Sequence, residues 1–190
     1  MIDLIGLCGE SSSGKSKILS DLMKKYPDIF HKKVSYTTRR ERSGEINGVD
    51  YNFVSRNKFF DLVLKEEILE ATDFNGNVYG TGINSFKEDK INLGIFDTEG
   101  IETISQLPEI NLIPIYLEVE PRIRLIRSLE REENKTIEEI YERYRYDVRE
   151  FDGFLELPGL LTIKNNTPEE REIAIKIIRT IAEGLLSEKI

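Results

Sequence analysis

The sequence predicts an α/β fold in which helices cover both faces of a parallel core sheet and a small mixed β insertion interrupts the core. Short apolar runs without polar alternation, such as Ile2–Cys8, are typical of strands that are buried on both faces. Segments with apolar residues at helical spacing follow several of these runs. A chain of 190 residues fits one domain, and we expect residues 1–190 to form it.

The first elements follow from this pattern. The strand Ile2–Cys8 leads through Gly9 into a helix that Pro27 ends. In residues 33–55, β-branched and aromatic residues alternate with polar ones on both sides of Asn47-Gly48, which predicts antiparallel strands around a turn. The other elements predicted for the insertion are a helix around Phe59 to Leu64, a strand from Ile68 to Phe74, a turn at Asn75-Gly76-Asn77 and a strand from Val78 to Thr81.

The α/β alternation resumes after the insertion. The core is predicted to comprise residues 1–32, 82–120 and 152–190, with the insertion at 33–81 and a charged helical segment at about 121–151. In the last helix, an apolar stripe is expected to face the core, and it consists of Ile173, Ile177, Ile181 and Leu185. The predicted elements are a helix near Ser85 to Asp89, a strand from Leu93 to Phe96, a short helix after Glu99, a strand from Leu112 to Val119, a helix from Pro121 to Arg131, a break at Asn134-Lys135-Thr136, a helix from Ile137 to Phe151, a strand from Leu160 to Lys164 and a helix from Pro168.

Composition excludes several classes of function. The chain has 27 Lys and Arg against 35 Asp and Glu, so its formal net charge is −8, which disfavours general nucleic-acid binding. No apolar run approaches the roughly 20 residues that cross a bilayer, so we expect no membrane partner. A single cysteine and the lack of a charged leader after Met1 predict a cytoplasmic protein.

The motif G-x-x-x-x-G-K-[ST] lies between the first strand and the first helix, where its chemistry requires it. Its backbone N–H groups and the helix N-terminus would bind the phosphates of ATP. Lys15 is expected to reach the β- and γ-phosphates, and the hydroxyl of Ser16 to ligate Mg²⁺. A turn without a ligand would give no reason for a lysine there, so the predicted fold is a P-loop three-layer sandwich. The motif consists of Gly9, Glu10, Ser11, Ser12, Ser13, Gly14, Lys15 and Ser16.

A second cluster of positive charge occupies residues 31–60, which carry seven Lys and Arg against three acidic residues. Alone, such a cluster is typical of a solvated loop. Its arginines, however, belong to the segment S-x-T-T-R-x-x-R that starts at Ser35. The segments G-E-x-x-G-x-D-Y from Gly44, Ile68-Leu69-Glu70-Ala71 and G-N-x-Y-G-T from Gly76 follow in order. Together they resemble the guanylate kinase family of P-loop nucleoside monophosphate kinases, over about residues 5–185.

This resemblance implies an ATP:GMP phosphotransferase of purine nucleotide metabolism, which converts Mg-ATP and GMP, and also dGMP, to ADP and a nucleoside diphosphate. Guanidinium groups suit phosphate, and a carboxylate accepts hydrogen bonds from guanine N1–H and N2–H₂. Taken singly, Tyr51 and Tyr79 could be ordinary aromatic residues of strands, and Glu70 could be an exposed residue at a strand edge. By the resemblance, the GMP phosphate is held by Arg39, Arg42, Tyr51 and Tyr79, and guanine is recognised by Ser35, Glu70 and Thr81.

The resemblance also assigns the carboxylates and the helical segment. Asp97 would lie near the water shell of the metal and the GMP side, and Glu99 beside GMP. The segment Asp97-Thr98-Glu99-Gly100 is shorter than the family pattern D-x-D-x-x-G. Residues 121–151 would form a lid that excludes water. The catalytic residues implied are Lys15, Arg39 and the lid arginines Arg127, Arg131 and Arg143.

Asn165 matches a position near the adenine of ATP, although a turn before Pro168 explains it equally well. Two rival functions remain: a P-loop kinase of another nucleotide or of a ribose phosphate, and a non-catalytic guanylate-kinase-like module that binds phosphopeptides. The intact Gly14-Lys15-Ser16 and the lid arginines argue against the module. The expected partners are the small molecules ATP and GMP, with the protein a monomer or homodimer.

Overall fold

The structure is a computed structural model that describes residues 1–42, 44–74, 76–131 and 136–188. In these ranges the strands are β1 (Ile2–Cys8), β2 (Phe30–Lys32), β3 (Tyr36–Thr37), β4 (Asn52–Phe53), β5 (Ile68–Phe74), β6 (Asn77–Gly82), β7 (Ile91–Ile95), β8 (Ile110–Glu118) and β9 (Leu161–Lys164). The helices are α1 (Lys15–Lys25), α2 (Arg56–Leu64), α3 (Thr98–Ser105), α4 (Pro121–Arg131), α5 (Ile137–Glu150) and α6 (Pro168–Ser187), and short 3₁₀ turns lie at Ile83–Ser85 and Phe154–Glu156.

The core is a five-stranded parallel sheet in the order β2-β7-β1-β8-β9. On one face, α1 and α6 pack through buried residues such as Leu22 and Ile178. On the other face, α3 packs through Ile101 and Ile104, next to Phe151 and Phe154. A separate four-stranded mixed sheet has the order β4-β3-β6-β5. The predicted α/β fold, with its parallel core sheet and small mixed sheet, is thus confirmed.

The pairing inside the insertion differs from the prediction. The strands β3 and β4 run parallel, with Tyr36 opposite Asn52, rather than antiparallel. The turn at Gly48 reverses the chain only locally, since its N–H bonds the carbonyl of Tyr51 at 2.8 Å. The long excursion between the two strands then brings β4 back in the direction of β3, while β3 and β6 pair antiparallel. Of the predicted turn at residues 75–77, Asn75 lies outside the described residues.

The predicted helix near Ser85 to Asp89 is wrong, because a 3₁₀ turn at Ile83–Ser85 is followed by irregular backbone. The side chain of Asn92, which is fully buried, satisfies this backbone instead. Its Oδ1 accepts from the N–H of Lys87, and its Nδ2 donates to the carbonyl of Lys87, both at 2.8 Å. A side chain that bonds the backbone in this way competes with helix formation.

The buried face of α6 also differs from the predicted stripe. Ile173 and Ile177 are 55% and 39% exposed, whereas Ala174 and Ile178 are fully buried. Ile181 and Leu185 pack against the core as predicted, but in the first half of the helix the buried face is displaced by one residue. Of the predicted break at residues 134–136, Asn134 and Lys135 lie outside the described residues.

In the described part of the chain, no helix combines the length and the apolar character needed to cross a membrane.

The lone Cys8 is fully buried, and burial raises the pKa of its thiol to about 12. A thiol with so high a pKa is a weak nucleophile, so Cys8 acts as a packing residue.

Candidate active site

The loop between β1 and α1 curls its backbone tightly. Ser12 has φ 63° and Gly14 has φ 94°, and Gly14 caps α1 without any side-chain hydrogen bond to the helix. A Cβ on Gly14 would lie 2.5 Å from Nδ2 of Asn165. That amide donates to the carbonyl of Ser13 at 2.6 Å and so fixes the loop from the β9–α6 side. The first N–H groups of α1 are left for a ligand, as an anion site requires.

The side chain of Lys15 folds back onto the backbone of this loop. Its Nζ donates to the carbonyl oxygens of Gly9 and Glu10, the second at 3.1 Å. Burial lowers the pKa of Lys15 to about 8, and the nearby negative charge of Asp147 opposes this shift. An added anion would stabilise the charged form of this ammonium group.

Helix α5 is tied directly to the loop. Asp147 accepts hydrogen bonds from the N–H of Ser11 at 2.8 Å and from its hydroxyl at 3.1 Å. The Nε of Arg143 donates to the hydroxyl of Ser11 at 2.7 Å. Nearby, the hydroxyls of Ser12 and Ser128 lie 2.7 Å apart. The residues of α4 and α5 thus lie directly over the loop.

A buried ion network underlies this contact, and sequence reasoning missed it. Arg124 is 3% exposed, and its guanidinium lies 3.3 Å from Oε1 of Glu10 and 3.8 Å from Oδ2 of Asp147. The hydroxyl of Tyr116 donates to Oε2 of Glu10 at 2.7 Å. Arg124 lies at helical spacing from Arg127 and Arg131, so the sequence did not indicate which of these arginines is buried.

The remaining predicted arginines of α4 lie elsewhere. Arg127 donates to the carbonyl oxygens of Asn165 and Asn166 at 2.9 Å, and so joins α4 to the loop after β9. Arg131 is exposed at the end of α4. Neither is among the described residues that line the main cleft, whereas Arg143 is.

That cleft has a volume of about 790 Å³ and lies between the core and the mixed sheet. It brings together most of the predicted site residues, which come from distant parts of the chain between Gly9 and Arg143. At the core end these are Gly9, Ser11, Lys15, Ser16, Asp97 and Arg143, and at the insertion end Ser35, Arg39, Arg42, Tyr51, Glu70 and Tyr79. The predicted residues that lie outside its described lining are Glu10, Ser12, Ser13, Gly14, Thr81, Glu99, Arg127, Arg131 and Asn165.

Arg39 is held in place at the insertion end. Its two terminal nitrogens donate to the carboxylate of Glu45 at 3.0 and 2.7 Å. Its guanidinium lies 5.5 Å from the ring centroid of Tyr51, which in turn meets Tyr79 edge to face at 5.8 Å. The guanidinium and the two phenol rings form one cluster that faces the cleft, and a cation in this setting suits a phosphate group.

Deeper in the insertion, a lysine that the sequence analysis passed over joins the predicted base-binding residues. The Nζ of Lys33 donates to the hydroxyl of Thr81, and that hydroxyl donates to Oε1 of Glu70. Burial raises the pKa of Glu70, and the charge of Lys33 opposes the shift. Burial also lowers the pKa of Lys33 to about 8. Lys33 belongs to the basic cluster of residues 31–60, but the sequence does not distinguish it from the other lysines and arginines of that cluster.

The lowered pKa values of Lys15 and Lys33 predict a pH effect on stability. The pKa values of Lys15 and Lys33 are near 8 in the folded protein and 10.5 ordinarily. The unfolded chain therefore binds more protons between pH 8 and 10.5, so the free energy of unfolding rises with pH there. In urea denaturation, Lys33→Met should show a smaller rise from pH 8 to 10 than wild type. The exposed-site variant Lys58→Met should match wild type, and equal rises in all three proteins would contradict this prediction.

Oxygen donors for a cation lie at the carboxyl end of β7. Asp97 lines the cleft and caps α3, where its Oδ1 accepts from the N–H of Gly100 at 2.8 Å. Ser16 lines the same cleft. No group of three or more His, Cys, Asp or Glu that could hold a metal occurs among the described residues. These hard oxygen donors fit Mg²⁺, which binds proteins through few side chains and takes phosphate oxygens and waters as further ligands. Glu99 is exposed in the first turn of α3.

Comparison with known proteins matches this arrangement to one family. The sequence model of the family described as guanylate kinase matches residues 2–178. A guanylate kinase of Trichormus variabilis is 38% identical over 130 residues, which are 64% of this chain and 65% of the relative. The guanylate kinase of Homo sapiens is 33% identical over 138 residues, covering 70% of this chain and 68% of that one.

The match spans about 65% of the length of the first curated relatives, those of Trichormus variabilis and Nostoc. Among solved structures, the crystal structure of guanylate kinase from Anaplasma phagocytophilum is similar, with a TM-score of 0.71. The likeness covers 97% of this chain and 87% of that one at 21% identity, which shows a common fold. Because the family model matches almost the whole sequence, this chain belongs to the guanylate kinase family.

Proposed function

We propose that this protein transfers the γ-phosphoryl group of Mg-ATP to GMP, or to dGMP, and releases ADP and the nucleoside diphosphate. One observation carries the proposal: a single cleft of about 790 Å³ has Lys15 and Ser16 at one end and Arg39 and Glu70 at the other. Two separate groups of phosphate-binding residues therefore face one space, as direct transfer between two nucleotides requires.

At the donor end, the loop Gly9 to Ser16 binds the ATP phosphates through its backbone N–H groups. Lys15 would exchange its two carbonyl partners for the β- and γ-phosphates, and Ser16, with Asp97 through water, would hold Mg²⁺. Mg²⁺, when bound, supplies charge neutralisation of the phosphates. By the family resemblance Asn165 would lie near the adenine, whereas its buried amide, bonded to the carbonyl of Ser13, supports a structural role in holding the loop.

At the acceptor end, Arg39 and Arg42 bind the GMP phosphate, supported by the hydroxyls of Tyr51 and Tyr79. The fork of Arg39 is already oriented by Glu45, so little side-chain entropy is lost when phosphate replaces that partner. The residues that recognise the guanine are Ser35, Glu70 and Thr81, with Asp97 and Glu99 on the same side.

Transfer through a loose transition state needs alignment and charge neutralisation, and no dedicated protein base. Arg143 already touches Ser11 of the loop, so it is suited to contact the transferring group. Arg127 and Arg131 would join it when residues 121–151 close and exclude water. We propose a cytoplasmic setting for this reaction, which the single, buried Cys8 supports.

The test is an assay of ADP release from Mg-ATP with a panel of acceptors. We expect GMP-dependent turnover, with dGMP as a second acceptor and with AMP and ribose 5-phosphate inactive. Absence of turnover at millimolar GMP with folded protein would refute the proposal, and a better acceptor elsewhere in the panel would refute the base assignment. Calorimetric titration with ATP distinguishes a kinase from the non-catalytic module, because the module should bind no ATP.

Glu70→Gln provides a sharper prediction about the base. The amide keeps the size of the side chain but replaces one acceptor with a donor, which opposes the N–H groups of guanine. We expect kcat/KM for GMP to fall by about 10- to 100-fold, the cost of a charged hydrogen bond, with ATP affinity unchanged. Glu66→Gln, at an exposed position before β5, serves as the control and should behave as wild type.

A further inference from the structure

Lys33 is a buried cation next to the proposed guanine pocket. It follows β2 directly, is 4% exposed and holds its backbone to the core sheet, where its N–H donates to the carbonyl of Leu93 at 2.8 Å. Its Nζ lies 4.0 Å from the centroid of the Phe96 ring. Burial of an ammonium group is costly unless partners compensate it. The partners of Lys33 therefore indicate what the charge is for.

The hydrogen bonds of this group run in one direction. An ammonium group can only donate, so the hydroxyl of Thr81 must accept from Lys33. The single hydrogen of that hydroxyl then points to Oε1 of Glu70. The Thr81 hydroxyl is thereby fixed as a donor to Glu70, and the carboxylate is fixed as an acceptor. We call this chain of hydrogen bonds from Lys33 through Thr81 to Glu70 the relay, and its central residue Thr81 is fully buried.

The charges around the relay come from several elements. Glu70 lies on β5, Asp97 follows β7 and Glu99 lies on α3, and the two other carboxylates both act against the ionised form of Glu70. Lys33 is the positive charge that acts in the opposite sense. Lys33 and Glu70 both line the cleft, so this balance of charge lies on the surface that a base would touch.

We propose that Lys33 is a positioning residue for base selection: through Thr81 it holds Glu70 as an ionised carboxylate with its acceptors towards the base. This inference rests on the proposed function. A carboxylate offers two acceptors, which complement guanine N1–H and N2–H₂. A neutral carboxyl group offers one donor and one acceptor, which complement adenine N1 and N6–H₂ instead. The charge of Lys33 therefore selects guanine over adenine without touching the base.

The test compares Lys33→Met with wild type by calorimetric titration with GMP, AMP and ATP. Methionine fills a similar volume without the charge. We expect GMP affinity to fall about tenfold or more, the ratio of AMP to GMP dissociation constants to narrow, and ATP affinity to remain unchanged. Lys58→Met removes an exposed lysine from α2 of the same insertion and should bind all three nucleotides as wild type does.

A double-mutant cycle separates this role from a structural one. In the Glu70→Gln background the charge has no carboxylate to hold, so Lys33→Met should change GMP affinity less than about threefold. An equal loss in both backgrounds, or no loss in either, would overturn the inference. Lys33→Gln restores a hydrogen-bond donor without charge, and thermal denaturation of both variants reports folding. Wild-type affinity in Lys33→Gln would show that the charge is not required.

These outcomes are distinct from failure of the proposed function. If wild type neither binds GMP nor turns it over, the proposed function fails and the relay has no such substrate. If wild type binds GMP but the affinity is not coupled between Lys33 and Glu70, only the inference about Lys33 fails.

Discussion

Replacing Lys15 with methionine is expected to lower kcat for GMP-dependent ADP release by about 10²- to 10³-fold, the usual cost of one group that stabilises transition-state charge. The ammonium group lies within the loop Gly9 to Ser16, where it donates to two backbone carbonyls. Methionine retains the packing volume but would leave the phosphates of the proposed ATP without the ammonium group of Lys15. Steady-state kinetics with GMP and Mg-ATP would measure the loss.

The matched control is Lys17→Met, two residues further along α1, where the lysine makes an exposed pair with Asp21. It should keep wild-type kcat. GMP affinity should be unchanged in both variants, because the residues proposed to bind GMP belong to the other end of the cleft. If Lys15→Met retained more than about a tenth of wild-type kcat, the assigned role of Lys15 would be wrong.

Replacing Arg124 with methionine is expected to destabilise the fold by about 3–5 kcal/mol, because the buried carboxylates of Glu10 and Asp147 would lose the guanidinium group that they share. For a chain of this size, such a loss corresponds to a decrease in Tm of about 10 °C. Urea and thermal denaturation would measure both quantities. Arg122→Met, on the exposed side of α4, should stay within about 0.5 kcal/mol of wild type.

The cause of this loss can be separated from lost packing. Adding Glu10→Gln and Asp147→Asn to Arg124→Met removes the two negative charges that have lost Arg124 while keeping similar volumes. We expect the triple variant to be more stable than Arg124→Met alone, since neutral side chains are cheaper to bury than unpaired charges. A triple variant that is less stable than the single one would show that the ion pairs are not the source of the effect.

The acidic net charge of −8 is compatible with the two anionic substrates that we propose, because the positive charge of the cleft is local. Lys15 and Arg143 lie at one end of the cleft and Arg39 and Arg42 at the other. Short-range donors in a partly dehydrated cleft act more strongly than the net charge of the surface, which salt screens over about 10 Å.

Features that depend on neighbouring residues were predictable from the sequence. Gly9 to Ser16 form one contiguous loop, and β1 and α1 on its two sides follow from local patterning. The bounds of β5 were predicted correctly for the same reason. The helix expected near Ser85 was not, since the competing partner, Asn92, lies on a strand that follows it.

Features that depend on packing between distant segments were decided only by the tertiary structure. Lys33 and Arg124 look like other basic residues in the sequence, yet each is at least 96% buried and paired with carboxylates or hydroxyls from other elements. Sequence spacing determines which residues share a helix face or a strand edge, whereas burial depends on what packs against that face. The sequence alone thus determined the family resemblance and the position of the loop Gly9 to Ser16. The tertiary structure decided which charged side chains are buried, because an ion is buried only where packing brings it a partner.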